Sequence, residues 1–313
     1  MILTVTLNAA LDLTYRVDRL RPQGSNRVRT VVERAGGKGV NVSRVLHALG
    51  HQTVVTGLAG GAAGSALRRD LAAARLPEHL LAITGETRRT VAVVDESAGD
   101  TTILLEPGPV VRPEEWTRLL DHLDRLLPSA AAVVLPGSLP PGLPEDAYAQ
   151  LVHLAASHRV PAVLDADGAA LRSALAAGSA LVKPNADELV AATGTTDPVA
   201  AAGALREAGA ASVVASLGAD GLIAVTSHGS WQARPPERLA GNPTGAGDAA
   251  VAALTLGLVA GTSWRERLAE AVALSAAAVA SPLAGDFDPA VHAVLRERVD
   301  IRTLSNVRSL CCP

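Results

Sequence analysis

A chain of 313 residues suffices for one large α/β domain, or for such a domain with a small appendage. A formal net charge of −3 and a pI of about 6.2 exclude the basic footprint that a nucleic-acid partner requires. No apolar run has membrane-spanning length, Met1 to Val5 lacks a signal peptide's basic region, and the adjacent Cys311 and Cys312 cannot staple a fold, so the chain reads as cytoplasmic with no membrane partner.

Hydrophobic residues reach 48% while aromatics are only 2%, so the core has to be built from Ala, Val and Leu. Ile2 to Leu7 alternates apolar residues with threonine and predicts a buried first strand. Asn8 to Asp12 ends it. Asp12 then stands either in an ordinary turn or at the strand's C-terminal end, where open α/β sheets bind ligands. Leu13 to Leu20 and Arg27 to Arg34 predict two short strands of a sheet with one wet face.

Ala35-Gly36-Gly37-Lys38-Gly39-Val40-Asn41 leads into a helix with apolar positions at Val42, Val45, Leu46 and Leu49, stopped by Gly50. A flexible hinge would explain the glycines but neither Lys38 nor Asn41. Of 28 basic residues only Lys38 and Lys183 are lysine. Both stand in turns rich in Gly, Pro or Asn, where a compact point charge is useful. Gln52 to Leu58 predicts a strand and Gly64 to Ala74 a helix. Residues 87–94 and 101–105 predict a hairpin that joins the earlier short strands in a separate small sheet. Of its neighbours Arg88 and Arg89, one is expected as an edge charge and one aimed at a phosphate.

From here strand and helix alternate, which implies parallel strands with helices on both faces. Ala131 to Leu135 ends in Pro136-Gly137-Ser138-Leu139-Pro140-Pro141-Gly142, and Tyr148 to Ala156 is helical. Pro161 to Leu164 ends at Asp165 and Asp167. Leu181 and Val182 lead into Lys183-Pro184-Asn185-Ala186-Asp187-Glu188, and Ser212 to Ala215 into Ser216-Leu217-Gly218-Ala219-Asp220-Gly221. These loops would line one rim of one sheet. Residues 249–261, 265–280 and 289–298 predict helices, and residues 301–313 read as a tail.

The turn from Gly241 to Asp248 opens the first of those helices. It presents the amides of Gly245, Ala246 and Gly247 at a helix N-terminus, where the dipole favours an anion. Asp248 either caps that helix or takes a proton from a hydroxyl beside the anion hole. An anion hole with an acid, two isolated lysines and a turn bearing Asn and Glu suit phosphoryl transfer, where the protein mainly positions groups and neutralises charge.

These motifs, in this order, resemble those of the ribokinase-like carbohydrate kinases, in the phosphofructokinase B branch. The likeness rests on Gly36 to Asn41, Gly137 to Gly142, Lys183 to Glu188, Ser216 to Gly221 and Pro243 to Asp248, and it covers roughly residues 1 to 300. Within the branch the chain is similar to tagatose-6-phosphate kinases and 1-phosphofructokinases. The stretches Met1 to Asn8, Asn26-Arg27-Val28, Gly85 to Arg88 and Asn242-Pro243 lean toward the former.

The resemblance implies a three-layer α/β/α kinase domain over residues 1–300 with a mainly parallel central sheet. It also implies a small β-sheet lid from segments 13–34 and 88–105, through which two subunits pair as a homodimer. The implied reaction is ATP- and Mg²⁺-dependent phosphorylation of a ketohexose phosphate (tagatose 6-phosphate, fructose 1-phosphate or fructose 6-phosphate) to a bisphosphate. Asp248 is then the general base, and Gly245, Ala246 and Gly247 form the hole for the γ-phosphate. Asp12, Gly36, Gly37, Lys38 and Asn41 hold the sugar, with Arg88 and Ser138 near its phosphate. Lys183 and Asn185 lie by the nucleotide phosphates, and Glu188 by the water shell of Mg²⁺. Ser216, Gly218 and Gly221 cradle ATP, with Val272 and Ala276 against adenine.

The chain departs from the family at Ala9, where Pro is usual, at Pro136, where Ser is common, and at Ser25, where some relatives carry a lid lysine. These leave catalysis intact and the position of the substrate's phosphate open. A kinase of an unphosphorylated sugar or nucleoside is the rival reading, countered by Arg27, Lys38, Arg88 and Arg89 expected around one pocket. A sugar-phosphate sensor on a kinase scaffold is a third, countered by the retained Asp248, anion hole and Glu188.

Overall fold

The computed structural model describes residues 1–239 and 241–304. The chain opens with β1 (Ile2–Thr6), β2 (Ala10–Val17), β3 (Thr30–Gly36), α1 (Lys38–Ala48), β4 (Thr53–Ala59), α2 (Gly61–Ala73) and β5 (Glu78–Ala82). Next come β6 (Arg88–Asp95), β7 (Asp100–Leu105), α3 (Pro113–Leu126), β8 (Ala132–Pro136), α4 (Ala147–Ser157), β9 (Ala162–Asp165) and α5 (Gly168–Ala176). The rest is β10 (Leu181–Val182), α6 (Ala186–Thr193), α7 (Pro198–Glu207), β11 (Ser212–Ser216), β12 (Leu222–Thr226), β13 (Gly229–Arg234), α8 (Ala246–Ala260), α9 (Trp264–Val279), α10 (Pro289–Arg296) and β14 (Asp300–Leu304).

Among the described residues ten strands form one sheet in the order β14-β13-β12-β11-β10-β9-β8-β1-β4-β5. The run from β11 to β5 is parallel, and the hairpin strands β12, β13 and β14 extend it antiparallel. Alternate residues of each strand feed opposite faces, as the two-residue period of a strand requires. Leu3, Val5, Val133, Leu135, Val213 and Ala215 pack under α3 to α7, whereas Ile2, Val134, Val163 and Val214 pack under α1, α8 and α9. This is the three-layer α/β/α arrangement that the resemblance implies.

α8 shows what a core of small side chains allows. Its residues Ala249 to Thr255 are all buried, and it lies against both α9 and α1. Left-handed glycines bracket it, Gly245 before and Gly261 after. α9 starts with a capping box, Ser263 accepting from the Glu266 amide while the Glu266 side chain accepts from the Ser263 amide.

A second sheet has the order β3-β2-β6-β7. Leu11 and Leu13 of β2 bury against Ala63 of α2, which fixes this sheet beside the main one. The register Asp12↔Thr90↔Leu105 and Thr14↔Ala92↔Ile103, with Thr14↔Val32, puts Asp12, Val32, Ile103 and Leu105 on one face.

Several boundaries differ from the sequence expectation. β2 begins at Ala10, so Asp12 belongs to the small sheet rather than to a turn, because Leu11 and Leu13 have α2 to pack on. α1 starts at Lys38, four residues before its first expected apolar position. Residues 301–304, expected in a tail, form edge strand β14 against β13, while Cys311 and Cys312 lie outside the described residues. Among the described residues no helix is long and apolar enough to cross a membrane.

A buried Ala in α8 leaves no room for a larger side chain. Ala253→Leu is expected to cost about 1–3 kcal/mol of unfolding free energy through overpacking. A lower denaturant midpoint at unchanged m value would register it.

Candidate active site

The loops at the C-terminal ends of the parallel strands converge, as a doubly wound sheet dictates. β1 delivers Thr6 and Asn8, β8 delivers Gly137 and Ser138, β9 ends on Asp165, β10 runs into Lys183 and β11 ends at Ser216. Against this rim stands the N-terminus of α8. Its cap, Gly245, has φ 88°, and a Cβ there would lie 2.9 Å from Ala284 Cα. The turn thus demands glycine. The Ala246 amide, expected to face an anion, donates to Pro243 O at 3.2 Å and closes the turn. The Gly245 and Gly247 amides have no acceptor among the described residues and remain available to an anion.

Asp248 sits in the first turn of α8, and no side chain caps that helix. The capping alternative is therefore closed. The carboxylate is only 6% exposed, and its Oδ2 accepts from Asn41 Nδ2 at 2.8 Å. Burial pushes Asp248 up to about 7, with repulsion from Asp165 adding to it; the Asn41 hydrogen bond, Lys38 and Lys183 act the other way. A carboxyl so placed titrates near neutrality, the range that general-base catalysis needs.

Asp165 had no role in the sequence reading beyond marking a strand end. In the fold it lies 3.4 Å from Lys38 Nζ through Oδ2 and 3.4 Å from Lys183 Nζ through Oδ1. The sequence signal that could have found it is the pair of isolated lysines, which needed one buried counter-charge. Burial works against the charge on Lys38, but Asp165, Glu188 and Asp248 outweigh it and hold its pKa above the ordinary lysine value.

A pocket of about 150 Å³ is lined by Thr6, Asn8, Lys38, Arg88, Ser138 and Asp167, among others. Arg88 Nε donates to Asn8 O at 3.1 Å, and Asn8 Nδ2 donates to Ser138 Oγ at 3.1 Å, so one asparagine sets both groups. Strand alternation sends Arg89 the other way, to Glu106 at 3.2 Å. Arg27 is exposed ahead of β3. Two of the four cations expected at this pocket, Lys38 and Arg88, therefore line it.

Beside it, Gly36 is required because a Cβ would fall 1.9 Å from Asp12 Oδ2. Burial raises Asp12 to about 6, against the Thr90 hydrogen bond and the charges of Arg88, Arg34 and Arg44. Gly37 caps α1 at φ 102°, which leaves Lys38 and Asn41 one turn apart on the same side of the helix.

On the other side of Gly247 opens a cleft of about 510 Å³. Asn185, Ser216, Gly218, Gly221, Val272 and Ala276, all expected around a nucleotide, line it. Lys183 does not. It is 4% exposed and lies behind the cleft, its Nζ 3.5 Å from where a Cβ on Gly247 would stand. Glu188 and Asn185 form a capping box at α6: Asn185 N donates to Glu188 Oε2 at 2.8 Å, and Glu188 N to Asn185 Oδ1 at 2.8 Å. That box fixes the Glu188 carboxylate near the cleft and leaves Oε1 free of it. Among the described residues no three His, Cys, Asp or Glu gather as metal ligands. One carboxylate beside a nucleotide cleft fits a Mg²⁺ ion that keeps its waters and leans on phosphate oxygens.

A short loop, residues 281–286, braces the anion hole. Asn242 Nδ2 donates to Pro282 O at 3.2 Å, and Asn242 Oδ1 accepts from Thr244 N at 3.0 Å. The far end of the loop carries Asp286, which takes Arg34 of β3 as a two-bond fork.

This fold and site define a sugar kinase that transfers phosphate from ATP to a hydroxyl. The chain belongs to the pfkB family of carbohydrate kinases, whose family model matches residues 3–290. Phosphofructokinase-2 from Escherichia coli, in complex with potassium, is 31% identical, with a TM-score of 0.90 over 95% of this chain and 98% of that one. A possible 1-phosphofructokinase from Thermotoga maritima is 26% identical, with a TM-score of 0.88 over 97% and 100%. Arabidopsis thaliana ribokinase, complexed with ribose and ATP, shares the fold at 22% identity, with a TM-score of 0.75 over 95% and 98%.

The raised Asp248 carries a stability signature. A carboxyl whose folded pKa lies above its unfolded value of 3.8 contributes stability below that value and loses it as pH rises through about 7. Asp248→Asn removes the titration. The margin of the variant's Tm over that of wild type is expected to widen by several degrees between pH 5 and pH 8, as a thermal melt at both pH values would show.

Proposed function

We propose that the protein transfers the γ-phosphoryl group of ATP to a hydroxyl of a ketohexose phosphate, yielding a ketohexose bisphosphate. The acceptor is tagatose 6-phosphate, fructose 1-phosphate or fructose 6-phosphate. The observation that carries this reading is the buried Asp248, aimed by Asn41, between a nucleotide-sized cleft and a smaller pocket bearing Arg88. Similarity to phosphofructokinases supports a phosphorylated acceptor over a free sugar.

In this mechanism Asp248 accepts the proton of the attacking hydroxyl. The Gly245 and Gly247 amides, with the α8 dipole, hold the charge that gathers on the transferring phosphoryl group. Lys183 stands at the hole and Lys38 on the acceptor side. Arg88 and Ser138 receive the phosphate the sugar already carries, and Asp12 orients a sugar hydroxyl. Bound Mg²⁺ would neutralise the nucleotide phosphates, with Glu188 holding it through water. Val272 and Ala276 give the adenine an apolar wall.

Val32, Ile103 and Leu105 lie on the lid face that also bears Asp12, and Leu105 is 69% exposed. An uncovered apolar strip of this kind suits a second copy of the chain, giving a homodimer through the lid. Leu105→Arg is expected to convert the dimer to monomer in light scattering after size exclusion, and an unchanged mass would reject the lid as the interface.

The acceptor is read from kcat and KM on the three ketohexose phosphates and on free hexoses. Wild type is expected to use one of the phosphates, and turnover of free sugars alone would discard the phosphosugar assignment. Asp248→Asn should lose about 10²–10⁴ in kcat, the range of general-base catalysis. Arg88→Met should raise KM for the sugar phosphate about 10- to 100-fold, the value of a charge-assisted hydrogen bond, with kcat little changed.

A further inference from the structure

The only two lysines of the chain reach the same carboxylate from different elements. Asp165 is 1% exposed at the end of β9, and its carbonyl accepts from Gly137 N, so its backbone is anchored between β8 and β9. Its Oδ1 makes no aligned hydrogen bond. A buried carboxylate left short of hydrogen bonds destabilises a fold, and a buried ion pair seldom compensates for that. Packing alone gives no reason for it.

The two ammonium groups sit in different surroundings. Lys38 is partly open and lines the acceptor pocket, whereas Lys183 is enclosed beside Gly247 at the helix mouth. The groups facing Asp165 are Lys38 from α1, Lys183 after β10, Asp248 from α8 and Tyr148 from α4, whose hydroxyl donates to Gly137 O. Asp167 follows two residues on, and Glu188 of α6 acts on Lys38.

We infer that Asp165 is a positioning residue that holds Lys38 and Lys183 at a set separation across the path of phosphoryl transfer, one cation toward the acceptor and one toward the anion hole. The inference rests on the kinase mechanism given above but not on which acceptor is used. Held by one carboxylate, the two cations cannot spread apart or turn to bulk water before substrates arrive. Asp165 also bears on the base. Its charge repels the ionised form of Asp248 and offsets both lysines, so removing it favours ionisation on two counts.

Asp165→Asn keeps the shape and removes the charge. Its kcat is expected to fall at least about tenfold with KM for ATP within about threefold, the mark of misplaced groups rather than lost binding. The acid limb of its kcat–pH profile is expected to move down by about one pH unit. Wild-type kcat, or a fall in kcat with the limb unmoved, would overturn the inference, since a merely structural role changes the active fraction and not the limb. Asp165→Glu keeps the charge and displaces both ammonium groups; its limb should stay in place while kcat drops at least about tenfold. If the Asn variant does not fold, a Glu variant as fast as wild type is sufficient to overturn it. The limb is read with whichever acceptor wild type takes, so a wild type restricted to free sugars would reject the phosphosugar assignment and leave this test standing.

Discussion

A carboxylate cannot be buried without raising the cost of its charge, and the site is arranged around that constraint at Asp248. Exposed, the group would be a weak base with a pKa near 4; sealed in without partners, it would hold its proton throughout the neutral range. The structure sets it between these limits. One hydrogen bond from Asn41 aims it, two lysines favour its charge and Asp165 opposes it. The geometry depends on α8 sinking between α1 and α9, which only a helix of Ala, Gly and Val with occasional Leu and Thr can do at this depth. The low aromatic content of the chain and the placement of Asp248 are thus two aspects of one packing solution.

The division of labour between arginine and lysine follows the same physics. Arginine does the bracing on carboxylates: Arg34 grips Asp286 as a planar fork, Arg68 bonds both oxygens of Glu78 through Nη1, and Arg44 meets Asp70 through Nη2. The two lysines instead share the single buried carboxylate of Asp165. Arg88 is the one guanidinium in the acceptor pocket, and its own pKa is lowered by burial, with Asp12 and Glu106 acting to restore it. In the mechanism proposed, a fork there would meet the phosphate that stays in place rather than the one in transit.

Much of this was legible in the chain. Strands ending in polar or glycine-rich loops pointed to a parallel sheet whose loops share one rim, and the turn around Gly245 to a helix that begins there. Arg88 and Arg89, expected to take different places, part company because side chains alternate along β6. What escaped depends on contacts between distant segments. Nothing local marks Asp165 as the partner of lysines more than a hundred residues apart from each other, nor shows that Lys183 is walled off from the cleft. Asp12 was misplaced because an apolar pair, Leu11 and Leu13, becomes strand only when α2 is there to cover it. Ile301 to Leu304 looks like a tail until β13 offers an edge to pair with. The Ala246 amide illustrates the finest grain, since a single turn-closing bond to Pro243 removes it from the hole.

The loop at 281–286 is gripped at both ends. Asp286 is tied to the small sheet through Arg34, while Pro282 and Ala284 support the turn that holds Gly245. A displacement of the small sheet and a displacement of the α8 N-terminus therefore meet in the same six residues. In the mechanism proposed, the acceptor would press on one end of this loop and the nucleotide on the other, and any effect of one on the binding of the other would be returned in equal measure.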